Sequence, residues 1–440
     1  MDLGRMASAL QAKRFFCDLR FTASRSVSAG MKDGEPELKE GQESGLSVRA
    51  FINGSWGFAA GAPEDFDALL SRAQRLASSS EGNSRYPPRE DSAQYSTAEE
   101  FPPPGSESLL SSCRELHSSL EGTGITNRQV RLSETHYSRA YANSAGALIS
   151  DSSSILYARF TCIGKEGTSM REGHHTWGSR DSWDMDALTH SAAEAKRKCL
   201  DSLTASPPPH GTFTVILDNE MAGVFAHEAV GHACEGDAIM EGTSILAGKK
   251  GTRIGSGLVS IWDRPELEGA FGSYSFDDEG MQGKAVELIH EGELRGFMHS
   301  AESAENLGEQ PNGHARAESF SAPPIVRMSN TYIAAGSHSL EEMMEVQDGV
   351  YLKGMNGGSV DTITGQYMFR SEEAFRISGG EQVERIRDLS ITGTIIGTLK
   401  EVDAVGKDLK IKPGFCGKNG QTMSVSDGGP HIRVRSMKVG

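Results

Sequence analysis

His227 and His232 stand five residues apart in the run MAGVFAHEAVGHACEGD, residues 221–237. That spacing is hard to reconcile with a regular α-helix if both rings serve one centre. At roughly 100° per residue, five steps leave the two side chains about 140° apart. A π-type widening brings positions i and i+5 into register. Gly231, directly before His232, is where such a distortion costs least. The spacing therefore predicts a bulged or broken helix between residues 228 and 233. The strand-like run TFTVILD precedes it, and Asp218 or Asn219 can cap the helix.

The residue types in this segment point to metal chemistry. Zinc takes neutral imidazoles and thiolates, usually three from the protein when water fills the fourth position. Glu228 lies between the histidines, where a carboxylate can take a proton from a metal-activated water. A third ligand must come from elsewhere. Cys234 is two residues past His232 and points away on a continuing helix. Cys416 is better placed, in KPGFCGKNGQ, where Gly414 and Gly417 let the backbone turn the sulfur inward. The reading is a His227, His232, Cys416 metal set with Glu228 as general base. Glu235 and Asp237 follow the second histidine and can orient His232 through its free ring nitrogen. His174 and His175 are adjacent and point apart in a strand. His290, His299, His314 and His431 have no ligand spacing.

The rest of the chain reads as α+β, with N-terminal helices on antiparallel meander sheets and a β-rich C-terminal domain carrying the distorted helix. It has 440 residues, more than one domain normally holds. A short helix over 5–16 leads into a meander from Cys17 to Ala60, with turns at Asp33-Gly34 and Asn53-Gly54. PEDFDALLSRAQRLA follows as an amphipathic helix, with Phe66, Leu69, Leu70, Ala73, Leu76 and Ala77 on one face. Residues 78–106 are polar, proline-rich and aperiodic, and read as a linker. The expected organisation is an N-terminal subdomain over 1–77, the linker, a second α+β subdomain over 107–209, and a C-terminal domain over 210–440. Within the last, KAVELIH and ELRGFMHS form a hairpin around Glu291-Gly292. GMNGGSVDTITGQYMF, residues 354–369, forms a hairpin edge able to take up an extended peptide by strand addition.

A formal charge of −16 argues against nucleic acid as a partner. No apolar run reaches the roughly 18–20 residues of a membrane span. With no apolar leader segment visible either, a cytoplasmic location is expected. Six cysteines without a CxxC pair argue against a disulfide framework. Cys17, Cys113, Cys162 and Cys199 read as buried small hydrophobes.

The string HEAVGHACEGD resembles the signature of the TldD/PmbA family of metallopeptidases, and PGFCGKNGQTMSV resembles its C-terminal cysteine motif. LSVRAFINGSWGFA, GGSVDTITGQYMF and the closing IRVRSMKVG are similar to the family as well, so the resemblance covers most of the chain. It is to the TldD-type catalytic subunit, because partner-type TldE/PmbA members lack the histidine motif. The resemblance implies zinc held by His227, His232 and Cys416, with Glu228 catalytic. It further implies cleavage of short or unfolded peptides by a dimer, either a homodimer or a heterodimer with an inactive TldE/PmbA-type homologue. The linker and the start RFFCDLR depart from the usual pattern. Two competitors stand beside this reading. One is a non-catalytic subunit with a structural zinc, closed by Cys234 or Glu235. The other is a zinc amidase acting on small molecules.

Overall fold

Positive φ at both turn residues is what lets an Asx-Gly pair reverse a twisted antiparallel strand. The computed structural model, which describes residues 2–87, 94–96 and 105–440, has this geometry at both predicted turns. Asp33 and Gly34 have φ of 50° and 92°, Asn53 and Gly54 of 49° and 76°. They join β1 (Phe16–Lys32), β2 (Glu35–Ile52) and β3 (Ser55–Gly61), preceded by α1 (Leu3–Gln11). The predicted amphipathic helix is α2 (Phe66–Ser78), which buries Phe66, Leu69, Leu70, Ala73 and Ala77. Leu76, expected on the same face, is exposed. Gly57 lets α2 approach β3, since a Cβ there would lie 1.9 Å from the Ala73 carbonyl oxygen.

Of the predicted linker, residues 88–93 and 97–104 lie outside the described residues. The short β4 (Gln94–Ser96) pairs in parallel with Leu148–Ser150. Next come α3 (Ser106–Ser119), β5 (Ile125–Asn143), β6 (Leu148–Glu166), β7 (Ser169–Ser179) and α4 (Met185–Leu203). The strands either side of the linker form one sheet, in order β3-β2-β1-β5-β6-β4 with β7 also on β6. β1 and β5 pair without a break from Asp18↔Asn143 to Lys32↔Gln129. The sheet nevertheless carries two apolar clusters. One contains Leu10, Leu19, Leu46 and Phe66, and the other Val27, Leu116, Phe160 and Leu188.

The C-terminal part begins with β8 (Gly211–Leu217) and α5 (Asn219–Val224). Short strands follow: β9 (Ile261–Asp263), β10 (Val286–His290), β11 (Glu293–Leu294), β12 (Ala315–Arg316), β13 (Ile325–Val326) and β14 (Asn330–Ile333). Longer ones complete it: β15 (Asp348–Asp361), β16 (Gln366–Ser378), β17 (Glu381–Ile386), β18 (Ser390–Thr394), β19 (Val402–Val405), β20 (Lys410–Lys418), β21 (Gln421–Gly429) and β22 (Ile432–Val439). One sheet runs β11-β10-β9-β14-β21-β20. Another runs β15-β8-β22-β18-β16-β17, and because β15 also pairs with β16 its strands close into a ring. The expected hairpin around Glu291-Gly292 is present, but its second arm is only the two residues of β11.

The architecture is mixed α/β with mainly antiparallel pairing; β4–β6, β14–β21 and β15–β8 are parallel. The main C-terminal core joins α5 and the histidine segment to both sheets, through Phe225, Val230, Met328, Leu352, Phe369 and Val425. No helix among the described residues is long and apolar enough to cross a membrane.

Candidate metal centre

Asp218 starts the functional helix by accepting the Met221 N–H at 2.9 Å. From Phe225 to Gly231 the backbone is π-helical, and the His232 N–H donates to the His227 carbonyl five residues back. The widening turns the two rings toward each other, with centroids 5.2 Å apart and planes at 89°. The predicted distortion is therefore present, but Gly231 serves it differently than expected. Its φ is an ordinary −55°. What demands glycine is space, because a Cβ at Gly231 would lie 2.0 Å from the Met328 sulfur.

Cys416 reaches this helix from β20, where it pairs with Met423 of β21. Arg327, fully buried, pins the hairpin by donating to the carbonyls of Cys416 at 2.5 Å and Gln421 at 3.2 Å. One ligand atom each of His227, His232 and Cys416 lie within 4.8 Å of one another. The Cys416 sulfur is 3.4 Å from His232 Nε2. His227 Nδ1 is buried with no hydrogen-bond partner among the described residues. Burial opposes ionisation of the thiol, but hydrogen bonds and charge from His227 and His232 outweigh it and bring the Cys416 pKa down to about 5. Two imidazoles and a readily ionised thiol, converging at this distance, form a donor set that suits a soft divalent ion. The sequence-predicted cluster is thus assembled, and Cys234 is buried outside it.

Glu228 has its carboxylate 3.8 Å from His232 Nε2, with a side chain 35% exposed. It faces the cluster and solvent together. Glu235, 2% exposed, accepts from His232 Nδ1 at 3.1 Å. Burial disfavours its charge, but His232 and Lys418 hold its pKa below the usual carboxylate range. Asp237 does not share that contact. It binds Lys418 Nζ at 2.7 Å, and Lys418 also lies 3.1 Å from Glu235. Its carboxylate is spent on the lysine, so it touches His232 only through Lys418 and Glu235.

Sequence reasoning passed over Lys418, Arg327 and Met328. Lys418 had a signal, two residues after Cys416 in the same glycine-flanked motif. The other two lie in a stretch without motif character. The remaining histidines stay apart from the cluster. His174 pairs with Glu372 at 2.8 Å, His314 with Asp263 at 3.0 Å, and His431 with Asp408 at 2.6 Å. All six cysteines are free and buried.

Three family models match the chain. PmbA/TldA metallopeptidase domain 1 covers residues 17–80, the central domain 99–203 and the C-terminal domain 210–440, more than half of the protein. The chain belongs to the PmbA/TldD metallopeptidase family. Among relatives, a metalloprotease of Methanothermobacter thermautotrophicus is 37% identical over 448 residues, spanning 100% of this chain and 98% of the relative. A zinc metalloprotease TldD homolog of Saccharolobus solfataricus is 29% identical, spanning 97% and 96%. The fold is shared with TldE from Thermococcus kodakarensis, at a TM-score of 0.79 and 18% identity over 100% of both chains.

Proposed function

We propose that the chain is a TldD-type, zinc-dependent peptidase that hydrolyses short or unfolded peptides. The observation that carries this reading is the convergence of His227, His232 and Cys416 ligand atoms within 4.8 Å, with the partly exposed Glu228 beside them. These three side chains would hold the ion. Zinc bound there supplies a Lewis acid that polarises the scissile carbonyl and acidifies water. Glu228 takes the proton of the attacking water and passes it to the leaving amine. Glu235 fixes the His232 ring through Nδ1, so that Nε2 faces the cluster. Arg327 holds the Cys416 backbone in place.

Peptide binding by strand addition has support in β15. β8 accompanies it only from Gly349 to Leu352, whereas pairing with β16 continues to Asp361. The backbone between Met355 and Asp361 thus pairs on one side, leaving an edge for an extended chain. The proposal includes a dimer, formed with a second copy or with a TldE/PmbA-type homologue, and a cytoplasmic site of action.

The test is Glu228→Gln. Zinc content stays at the wild-type level by elemental analysis, while cleavage of oligopeptides falls by about 10²–10⁴-fold. Cleavage that persists in a zinc-loaded Glu228→Gln protein rejects the assignment. Single amidated amino acids hydrolysed in preference to oligopeptides would favour the amidase instead.

A further inference from the structure

A cavity of about 980 Å³ borders the cysteine hairpin, with Phe415, Thr422, Met423 and Ser424 in its wall. In the β20–β21 ladder Cys416 pairs with Met423 and Phe415 with Ser424, so neighbouring pairs face opposite sides of the sheet. Phe415 and Ser424 line the cavity together with Tyr137, Arg139, Arg180 and Arg316. The N-terminal sheet and the C-terminal part therefore both contribute walls.

The three arginines differ in what they hold. Arg139 is committed to carboxylates, with Asp151 at 2.5 Å and Asp278 at 3.2 Å. Arg316, 4% exposed, donates to the carbonyls of Met328 at 2.6 Å and Ser424 at 2.9 Å and forms no ion pair among the described residues. Arg180 donates its Nε–H to the Phe271 carbonyl at 2.8 Å and likewise forms no ion pair among the described residues. Its two terminal amino groups bond no described residue. Burial, with repulsion from Arg316 and Arg139, lowers the Arg180 pKa to about 10. Arg180 is partly exposed and feels some attraction from Asp151, and its two unbonded amino groups are available to a bidentate oxyanion in the cavity.

The acidic lining residues narrow the choice of oxyanion. Glu43, Glu266, Glu268 and Glu318 are exposed carboxylates among the lining residues and repel a multiply charged phosphate ligand more than a singly charged one. A single carboxylate at the end of an otherwise neutral or cationic chain fits that field. Tyr137 and Phe415, 36% and 49% exposed, offer aromatic surface to the chain behind it.

We propose that this cavity is a second binding site, for the carboxylate of a peptide, with Arg180 as its bidentate partner and Arg316 adding positive field. The choice of a peptide as ligand rests on the peptidase reading above. The site shares the β20–β21 hairpin with Cys416, whose ladder partner Met423 lines it, but His227, His232 and Cys416 are not among its lining residues.

The test uses the full-length Glu228→Gln protein, so that probes persist, and acetyl-tetraalanine with either a free carboxylate or a C-terminal amide. Phenylglyoxal modification of Arg180 is followed by mass spectrometry. The carboxylate form is expected to slow modification at least fivefold and the amide form not at all. Adding Arg180→Gln should remove an at least tenfold calorimetric preference for the carboxylate over the amide. Equal protection by both peptides, or by neither, overturns the proposal. So does protection by inorganic phosphate alone. Should Arg180→Gln fail to fold, the labelling of unaltered Arg180 decides. Wild-type cleavage of longer oligopeptides is measured in parallel. Cleavage without Arg180 protection sinks this site and leaves the peptidase intact, whereas protection without cleavage sinks the peptidase and leaves the site.

Discussion

Glu235 holds His232 by its Nδ1 at 3.1 Å, from a position 2% exposed and three residues further along the chain. The contact fixes the ring so that Nε2 lies 3.4 Å from the Cys416 sulfur. Replacing Glu235 by Gln keeps the shape and removes the charge. Metal affinity should fall by about 10–100-fold, as measured by competition with a chromophoric chelator. Affinity equal to wild type would show that the ring is held by packing alone.

Cys416→Ser exchanges the thiol for a hydroxyl that does not ionise near neutral pH. The low Cys416 pKa of about 5 exists because both histidines favour the thiolate. The variant should leave purification with little zinc and no peptide cleavage, and a chelator should reproduce that loss in the wild type. Full zinc occupancy in Cys416→Ser would remove the thiolate from the ligand set.

Gly231→Ala places a methyl group 2.0 Å from the Met328 sulfur. Overpacking of this kind costs about 1–3 kcal/mol, more than the helix propensity gained by alanine. A lower melting temperature is expected, with Gly231→Ala/Met328→Ala recovering part of it relative to the sum of the single changes. Strict additivity of the two would locate the strain elsewhere.

His175 carries the pH prediction. Burial first, then Lys198 and Lys412, lower its pKa from 6.5 to about 4. The folded protein thus disfavours the protonated ring, and the unfolded chain binds the proton at higher pH. Stability from this group is complete above 6.5 and lost as pH falls from there through about 4. The full effect is roughly 3 kcal/mol. Wild type should lose more melting temperature than His175→Gln between pH 7 and pH 4.5. Parallel curves would contradict the assignment.

Local features were legible where a few residues suffice. Asn53-Gly54 and Asp33-Gly34 specify their turns by tolerating positive φ, and the spacing of Phe66, Leu69, Leu70 and Ala73 specifies a buried helix face. Leu76 failed because the apolar stripe is wider than the contact it makes. The hairpin after Glu291 was overextended because apolar residues near Phe297 and Met298 are buried by other packing rather than by strand pairing. Asp237 was assigned to His232 from proximity in the chain, and the lysine that claims it lies 181 residues away.

The sequence alone determined the distorted helix and the donor set, because a five-residue histidine spacing leaves a shared centre only one cheap backbone solution. It also supplied Cys416 as a candidate, though not for the reason its glycines suggested: neither Gly414 nor Gly417 adopts positive φ or a close approach, and the sulfur turns inward by ordinary strand alternation in β20. Tertiary structure decided the rest. It brought Lys418 to Glu235 and Asp237, set Met328 against Gly231, and aligned β1 with β5 across the stretch between them. These are contacts between segments distant along the chain, governed by packing and charge compensation in the folded interior, and no local spacing encodes them.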